Sequence, residues 1–177
     1  MDPKAFYKLG YGLYIVSSRK GDKLNGQIAN TVFQVTSAPP TLAVSINKQN
    51  FTWECIKASG TFGVSVLCQD TPLPFIGKFG FKSGRDADKL EDINSKVGTM
   101  QTPIVLDNAN AFFEAKVINE LDVGTHMIFI GEIVDSGVLS DKPSLTYEYY
   151  QQVKRGTTPK TAPSYVAEKK EEPLKNG

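Results

Sequence analysis

SINKQNFTWECIKASG (residues 45–60) decides how this chain is read. A β-like run, TLAVSIN, ends there in Asn47 and Lys48 and gives way at once to a short amphipathic helix. The spacing predicts that helix from its ends. Asn50 stands where an N-cap belongs, Glu54 in the first turn, Lys57 near the end, and Gly60 where a left-handed stop belongs. Phe51, Cys55 and Ala58 fall near one face at helical spacing. The first backbone N–H groups of a helix lack internal partners and carry the positive end of its dipole. A strand-to-helix junction of this kind is therefore a candidate anion site, and a phosphate is the natural anion to expect.

Outward from that junction, short β-rich segments dominate. YGLYIVSSR, GQIANTVFQVTS, TLAVSIN, TFGVSVLC, TPIVLD, AFFEAKVINEL and HMIFIGEIVDSGVL are rich in Val, Ile, Thr and aromatics, several with period-two alternation. Turn chemistry separates them: KGDKLNG, SAPP, DNAN and DVGT. Sequential strands joined by short turns favour antiparallel pairing, and this many favour closure into a barrel. The expected fold is mainly β, with a few short helices. An insertion, DTPLPFIGKFGFKSGRDADKLEDINSKVG, mixes Pro, Gly and charge and reads as loop and short helices. Residues 1–150 are expected to form the barrel. From Gln151 onward the apolar periodicity fades, so residues 151–177 read as a C-terminal arm, disordered at least beyond Ala167.

At 177 residues, 40% hydrophobic and 22% charged, the composition suits one globular domain with a substantial core. A formal charge of +1 argues against a general nucleic-acid binder. No apolar run approaches the roughly 18 residues of a membrane-spanning helix, so a cytoplasmic protein with no membrane partner is expected. Cys55 and Cys68 have neither metal-ligand nor CxxC spacing and read as buried thiols; a metal site is not expected.

Three constellations carry chemistry. Asn30, Thr31, Gln34 and Thr36 surround Phe33 in a strand-like run, either a partly exposed strand or an edge offering backbone groups to a flat heterocycle. Lys48 beside the helix start, with Ser83, Arg85 and Lys89 in KSGRDADK, are either solvated surface groups or the cations and hydroxyl of a phosphate site. His126, the only histidine, opens an apolar strand. It is either structural or a proton-carrying group at a barrel rim. Neither GxxxxGK[ST], a strand-linked GxGxxG nor GxSxG occurs, so cofactor-borne redox chemistry is a better expectation than hydrolysis.

The ordered set NGQIANTVFQVTSAPPTLAVSINKQNFTWECIKASGTFGVSVL, FGFKSGRDADK and GTHMIFIGEIVD resembles the flavin reductase-like, FMN-binding split-barrel family over residues 8–139. LTYEYYQQVKRGTTPKTAPSYV further resembles the end of the NADH:FMN oxidoreductase domain of high-molecular-weight rubredoxins. The resemblance implies bound FMN, with NADH or NADPH as hydride donor. It implies that Asn30, Thr31, Val32, Phe33, Gln34 and Thr36 lie along the ring and ribityl chain. Ser45, Ile46, Asn47, Lys48, Asn50 and Thr52 are implied near ribityl and phosphate, and Phe81, Ser83, Gly84, Arg85 and Lys89 in the loop closing the phosphate end. His126 matches the family's histidine near flavin and nicotinamide, and is the implied catalytic residue. A homodimer is implied too. High-molecular-weight rubredoxins continue into an iron-binding module with paired CxxC motifs, whereas this sequence ends EKKEEPLKNG. The expectation is that it holds no iron and that a rubredoxin acceptor is a separate protein. A flavoredoxin-like FMN electron carrier that is not an enzyme is the alternative, and a partner-binding barrel without flavin a third reading.

Overall fold

The computed structural model describes residues 2–165. The β-branched and aromatic runs become β1 (Tyr14–Lys20), β2 (Lys23–Ala29), β3 (Val32–Ser37), β4 (Pro40–Asn47), β5 (Thr61–Leu67), β6 (Ser95–Val97), β7 (Pro103–Val105), β8 (Ala109–Asp122) and β9 (His126–Val138). Among the described residues a 3-10 helix (Pro3–Lys8) and three α-helices accompany them: α1 (Phe51–Ser59), α2 (Leu73–Gly80) and α3 (Tyr147–Gln152). Every strand pair is antiparallel.

Seven strands form one sheet in the order β2-β1-β5-β8-β9-β4-β3, and β6 with β7 forms a second. β2 and β3 are consecutive in the chain yet occupy opposite rims of the sheet. The step from Ala29 to Val32 spans at most about 11 Å of extended chain. The sheet must therefore curl until its two rims nearly meet, which gives a split β-barrel. Where the chain leaves the crossing, Ser45 N donates to the Thr31 carbonyl at 3.1 Å and extends the β3–β4 ladder by one rung. Val16, Val44, Ile46, Phe62 and Phe129 fill the barrel. A second cluster, with Leu13, Ile76, Phe79, Leu145 and Tyr150, seats α2 and α3 against it.

Several local expectations are corrected. The run GQIANTVFQVTS is two strands, because the chain breaks at Asn30 and Thr31 to cross the split. The insertion holds α2, with Pro74 in its first turn, and also the short strand β6. α1 has Glu54, Lys57 and a left-handed Gly60 (φ 68°) as expected. Asn50 occupies the N-cap position, but its side chain makes no capping hydrogen bond. Asn47 shapes the turn instead, its Oδ1 accepting from Gln49 N at 2.9 Å. Ala58 faces outward; Thr52, Cys55 and Ile56 are the buried residues, because α1 packs on β1 through that side. α3 straddles the boundary expected at 150/151. The disorder expected beyond Ala167 lies outside the described residues.

Candidate functional site

A cavity of about 330 Å³ lies between β2, the start of α1, the loop at 81–85 and the chain at 157–163. Its lining carries Lys82, Arg85, Lys89 and Lys160 and no Asp or Glu. A concavity with basic groups and no acid concentrates a positive potential, whatever the net charge of the whole chain.

Lys89 is the most deeply placed of these cations. Only 4% of it is exposed. Its Nζ donates to the carbonyls of Gly26 (2.9 Å) and Phe79 (3.0 Å) and meets no carboxylate. Burial pushes its ammonium down to about 8, since an uncompensated charge is disfavoured away from water. An ammonium has three donors, so one N–H remains beyond the two carbonyl bonds. The surface-loop alternative for Lys89 is thereby excluded.

Arg85 and Lys48 are spoken for. Arg85 donates to Glu54 Oε1 at 2.5 Å and to the Gln49 carbonyl at 3.1 Å, and lies over the Phe51 ring. Hydrogen bonds from Lys20 and Arg85 hold the Glu54 carboxyl below its usual range. Lys48 turns away from the cavity and pairs with both oxygens of Asp122 at 2.8 Å. Ser83 folds the loop by accepting from Arg85 N at 3.2 Å, and Gly84 lets the loop approach the barrel. A Cβ on Gly84 would fall 1.9 Å from Asn25 Oδ1.

Of the expected cofactor-site residues, Asn30, Ser45, Asn47, Asn50, Thr52, Phe81, Ser83, Gly84, Arg85 and Lys89 line the cavity. Thr31, Val32, Phe33, Gln34, Thr36, Ile46, Lys48 and His126 do not. Ile46 is fully buried in the barrel core, so its side chain cannot reach the cavity. Thr31 to Thr36 follow Asn30 outward along the edge strand β3.

Sequence reasoning missed Asn25 and Gln27. Both line the cavity, and Asn25 Oδ1 and Gln27 Oε1 are buried without a hydrogen-bond partner. Asn25 Nδ2 meets Thr52 Oγ1 at 2.7 Å. Their alternation along β2 was the only available signal. Buried polar atoms are normally paired, so two orphans on one cavity wall suit a ligand bearing hydroxyls. Tyr147 and Tyr150 of α3 were also missed as lining.

The C-terminal arm forms the remaining wall. Asn30 Nδ2 donates to Ser164 Oγ at 2.5 Å and Asn47 Nδ2 to the Thr161 carbonyl at 3.3 Å. His126 pairs with Asn47 in the β4–β9 register, and its Nε2 meets the same Thr161 carbonyl at 3.2 Å. Facing a carbonyl, Nε2 must donate; in the neutral ring, Nδ1 then accepts from Thr125 Oγ1 at 2.9 Å. His126 thus joins the sheet to the arm.

Beside the cavity part of the outer sheet face is apolar, and Asn119 opposite Ile130 borders it. Cross-strand partners share a face, so Ser45 stands with Ile128 and Leu121, and the next outward row holds Phe33, Ala43 and Ile130. Phe33 is 53% and Leu121 57% exposed. Among the described residues, no group of His, Cys, Asp and Glu is arranged to hold a metal ion, and no helix is long and apolar enough to cross a membrane.

Comparison with known proteins places this site in a family. The flavin reductase like domain matches residues 6–158. The chain is 55% identical over 166 residues to a high molecular weight rubredoxin of Moorella thermoacetica, covering 94% of this chain and 72% of that protein. It is 50% identical over 169 residues to a ferric-chelate reductase (NAD(P)H) of Archaeoglobus fulgidus, covering 96% of this chain and all of the relative (100%). The crystal structure of flavoredoxin from Methanosarcina acetivorans superposes with a TM-score of 0.68 at 25% identity, over 73% of this chain and 69% of that one. The chain belongs to the flavin reductase-like split-barrel family and is a flavoprotein oxidoreductase.

Proposed function

We propose that the cavity holds FMN and that the protein is a cytoplasmic NAD(P)H:flavin oxidoreductase. The carrying observation is Lys89, a buried ammonium without a counter-ion in a lining without carboxylates. The phosphate takes the end formed by Lys89, Ser83, Gly84, Arg85 and the first turn of α1, where the Asn50 side chain makes no capping bond. Ribityl hydroxyls, which both donate and accept, satisfy Asn25, Gln27 and Thr52. The ring system emerges past Asn30, Ser45 and Asn47 and runs along β3, bringing Thr31, Val32, Phe33, Gln34 and Thr36 into reach from outside the cavity. His126, adjacent to Asn47, is assigned to the nicotinamide side of the ring.

Bound in this way, the flavin accepts a hydride from NADH or NADPH and passes electrons to an acceptor. The chain's own part is to neutralise the phosphate, orient the ribityl chain and exclude water with Leu13, Ile76 and Phe79. The rubredoxin and ferric-chelate reductase relatives favour an iron-containing acceptor, such as a separate rubredoxin, over the alternative of free flavin. The apolar face bearing Phe33, Ile128, Ile130 and Leu121 supports a homodimer that covers the emerging ring.

Titration with FMN and riboflavin tests the phosphate end. One charge-assisted hydrogen bond contributes about 1.5–3 kcal/mol, so FMN is expected to bind at least about tenfold more tightly. Anaerobic addition of NADH or NADPH should then bleach the bound flavin. Equal affinity for the two flavins removes the phosphate site, and a protein that takes up no FMN removes the reading altogether.

A further inference from the structure

The matched family domain ends at residue 158, yet the chain continues across the cavity and is tied down on its far side. On the near side, Tyr150 Oη donates to the Thr157 carbonyl at 2.9 Å, and the Tyr147 and Thr158 hydroxyls bond to each other. In the middle, the Thr161 carbonyl receives Asn47 Nδ2 (3.3 Å) and His126 Nε2 (3.2 Å). At the far end, Ser164 Oγ receives Asn30 Nδ2 at 2.5 Å on the link between β2 and β3. These anchors belong to α3, to the paired ends of β4 and β9, and to the neighbouring β2–β3 link. A loop held only by its stem opens by local fraying; one fastened at both ends and the centre must break distributed bonds together.

We propose that residues 157–164 form a strap that retains the flavin, making it a resident prosthetic group instead of a substrate that departs once reduced. This rests on the assignment of the cavity to FMN. The strap lies over the mouth, so a ligand within cannot leave until the bonds to Tyr150, Asn47, His126 and Asn30 have yielded. Electrons delivered to the flavin consequently reach an outside acceptor while the cofactor stays in place. Ordering of the strap and occupancy of the cavity are coupled, because the two share the same wall.

The test is the rate of FMN release from the loaded, full-length protein, followed by recovery of flavin fluorescence on dilution. Tyr150→Phe, Thr158→Val and Ser164→Ala each remove a hydroxyl that fastens the strap at almost unchanged shape. Combined, they should accelerate release by about tenfold or more. A release rate equal to that of the unsubstituted protein overturns the strap. Amide hydrogen exchange on the unsubstituted protein provides a second reading that needs no variant. Residues 157–164 should exchange more slowly once FMN is added, and exchange indifferent to FMN also overturns the proposal. If FMN does not bind at all, the functional assignment falls first; FMN that binds but leaves equally fast from both proteins sinks the strap alone.

Discussion

Lys89 carries a proton that the folded chain holds less firmly than the unfolded one. Its ammonium falls from 10.5 to about 8 through burial alone. Between those values the unfolded state binds more protons, so the flavin-free protein gains stability as pH rises from about 8 to 10.5, by about 3 kcal/mol. Flavin binding runs the other way: an anionic phosphate favours the ammonium, and FMN affinity should fall as pH climbs above about 8 while riboflavin affinity does not. Urea unfolding and flavin titration across that range check both signs, and Lys89→Met should abolish both dependences. Gly84→Ala sets a Cβ 1.9 Å from the Asn25 amide, which Thr52 holds. It should cost about 1–3 kcal/mol in thermal unfolding and weaken FMN binding. At this scale the sequence was only partly legible. KSGRDADK announces charge, but the fold alone decides that Lys89 is buried while Arg85 goes to Glu54. Lys48 looks free beside its helix until the β8–β9 hairpin brings Asp122, distant in sequence, next to it.

Among elements, the β6–β7 ribbon depends on one side chain of β8. Glu114 is fully buried and accepts from Thr99 N (2.7 Å), Thr99 Oγ1 (2.8 Å) and Met100 N (2.9 Å), gathering the turn that joins the two short strands. Glu114→Gln replaces one of those acceptors by a donor facing donors. A loss of about 1–3 kcal/mol is expected in urea unfolding, with the flavin site, on the other side of β1, little affected. Strands of the main sheet were readable because alternation and turn residues agree. The break between β2 and β3 was not, since Asn30 and Thr31 are compatible with an edge strand and apolar residues continue on both sides. α3 is too short for helical periodicity to register, and its Tyr147 and Tyr150 acquire meaning only from the strap they hold.

For the molecule as a whole, the apolar side chains of Phe33 on β3, Ile128 and Ile130 on β9 and Leu121 on β8 are the proposed meeting place of two copies. Phe33→Asp and Leu121→Asp should each yield a monomer in light scattering, because a carboxylate buried in an apolar contact costs several kcal/mol unless it is paired. A persistent dimer would put the interface elsewhere. The barrel itself was legible from its ordered strands, whereas the cavity wall supplied by the arm was not, because polar side chains ordered by distant partners show no local period. Both thiols of the chain lie inside the protein, Cys55 against the barrel with burial raising it to about 11, and Cys68 at the end of β5. Toward a water-borne maleimide the folded protein is therefore blank. A single Lys160→Cys substitution would give it one addressable point, on the crest of the strap, where a fluorophore could report each opening as a change in colour or brightness.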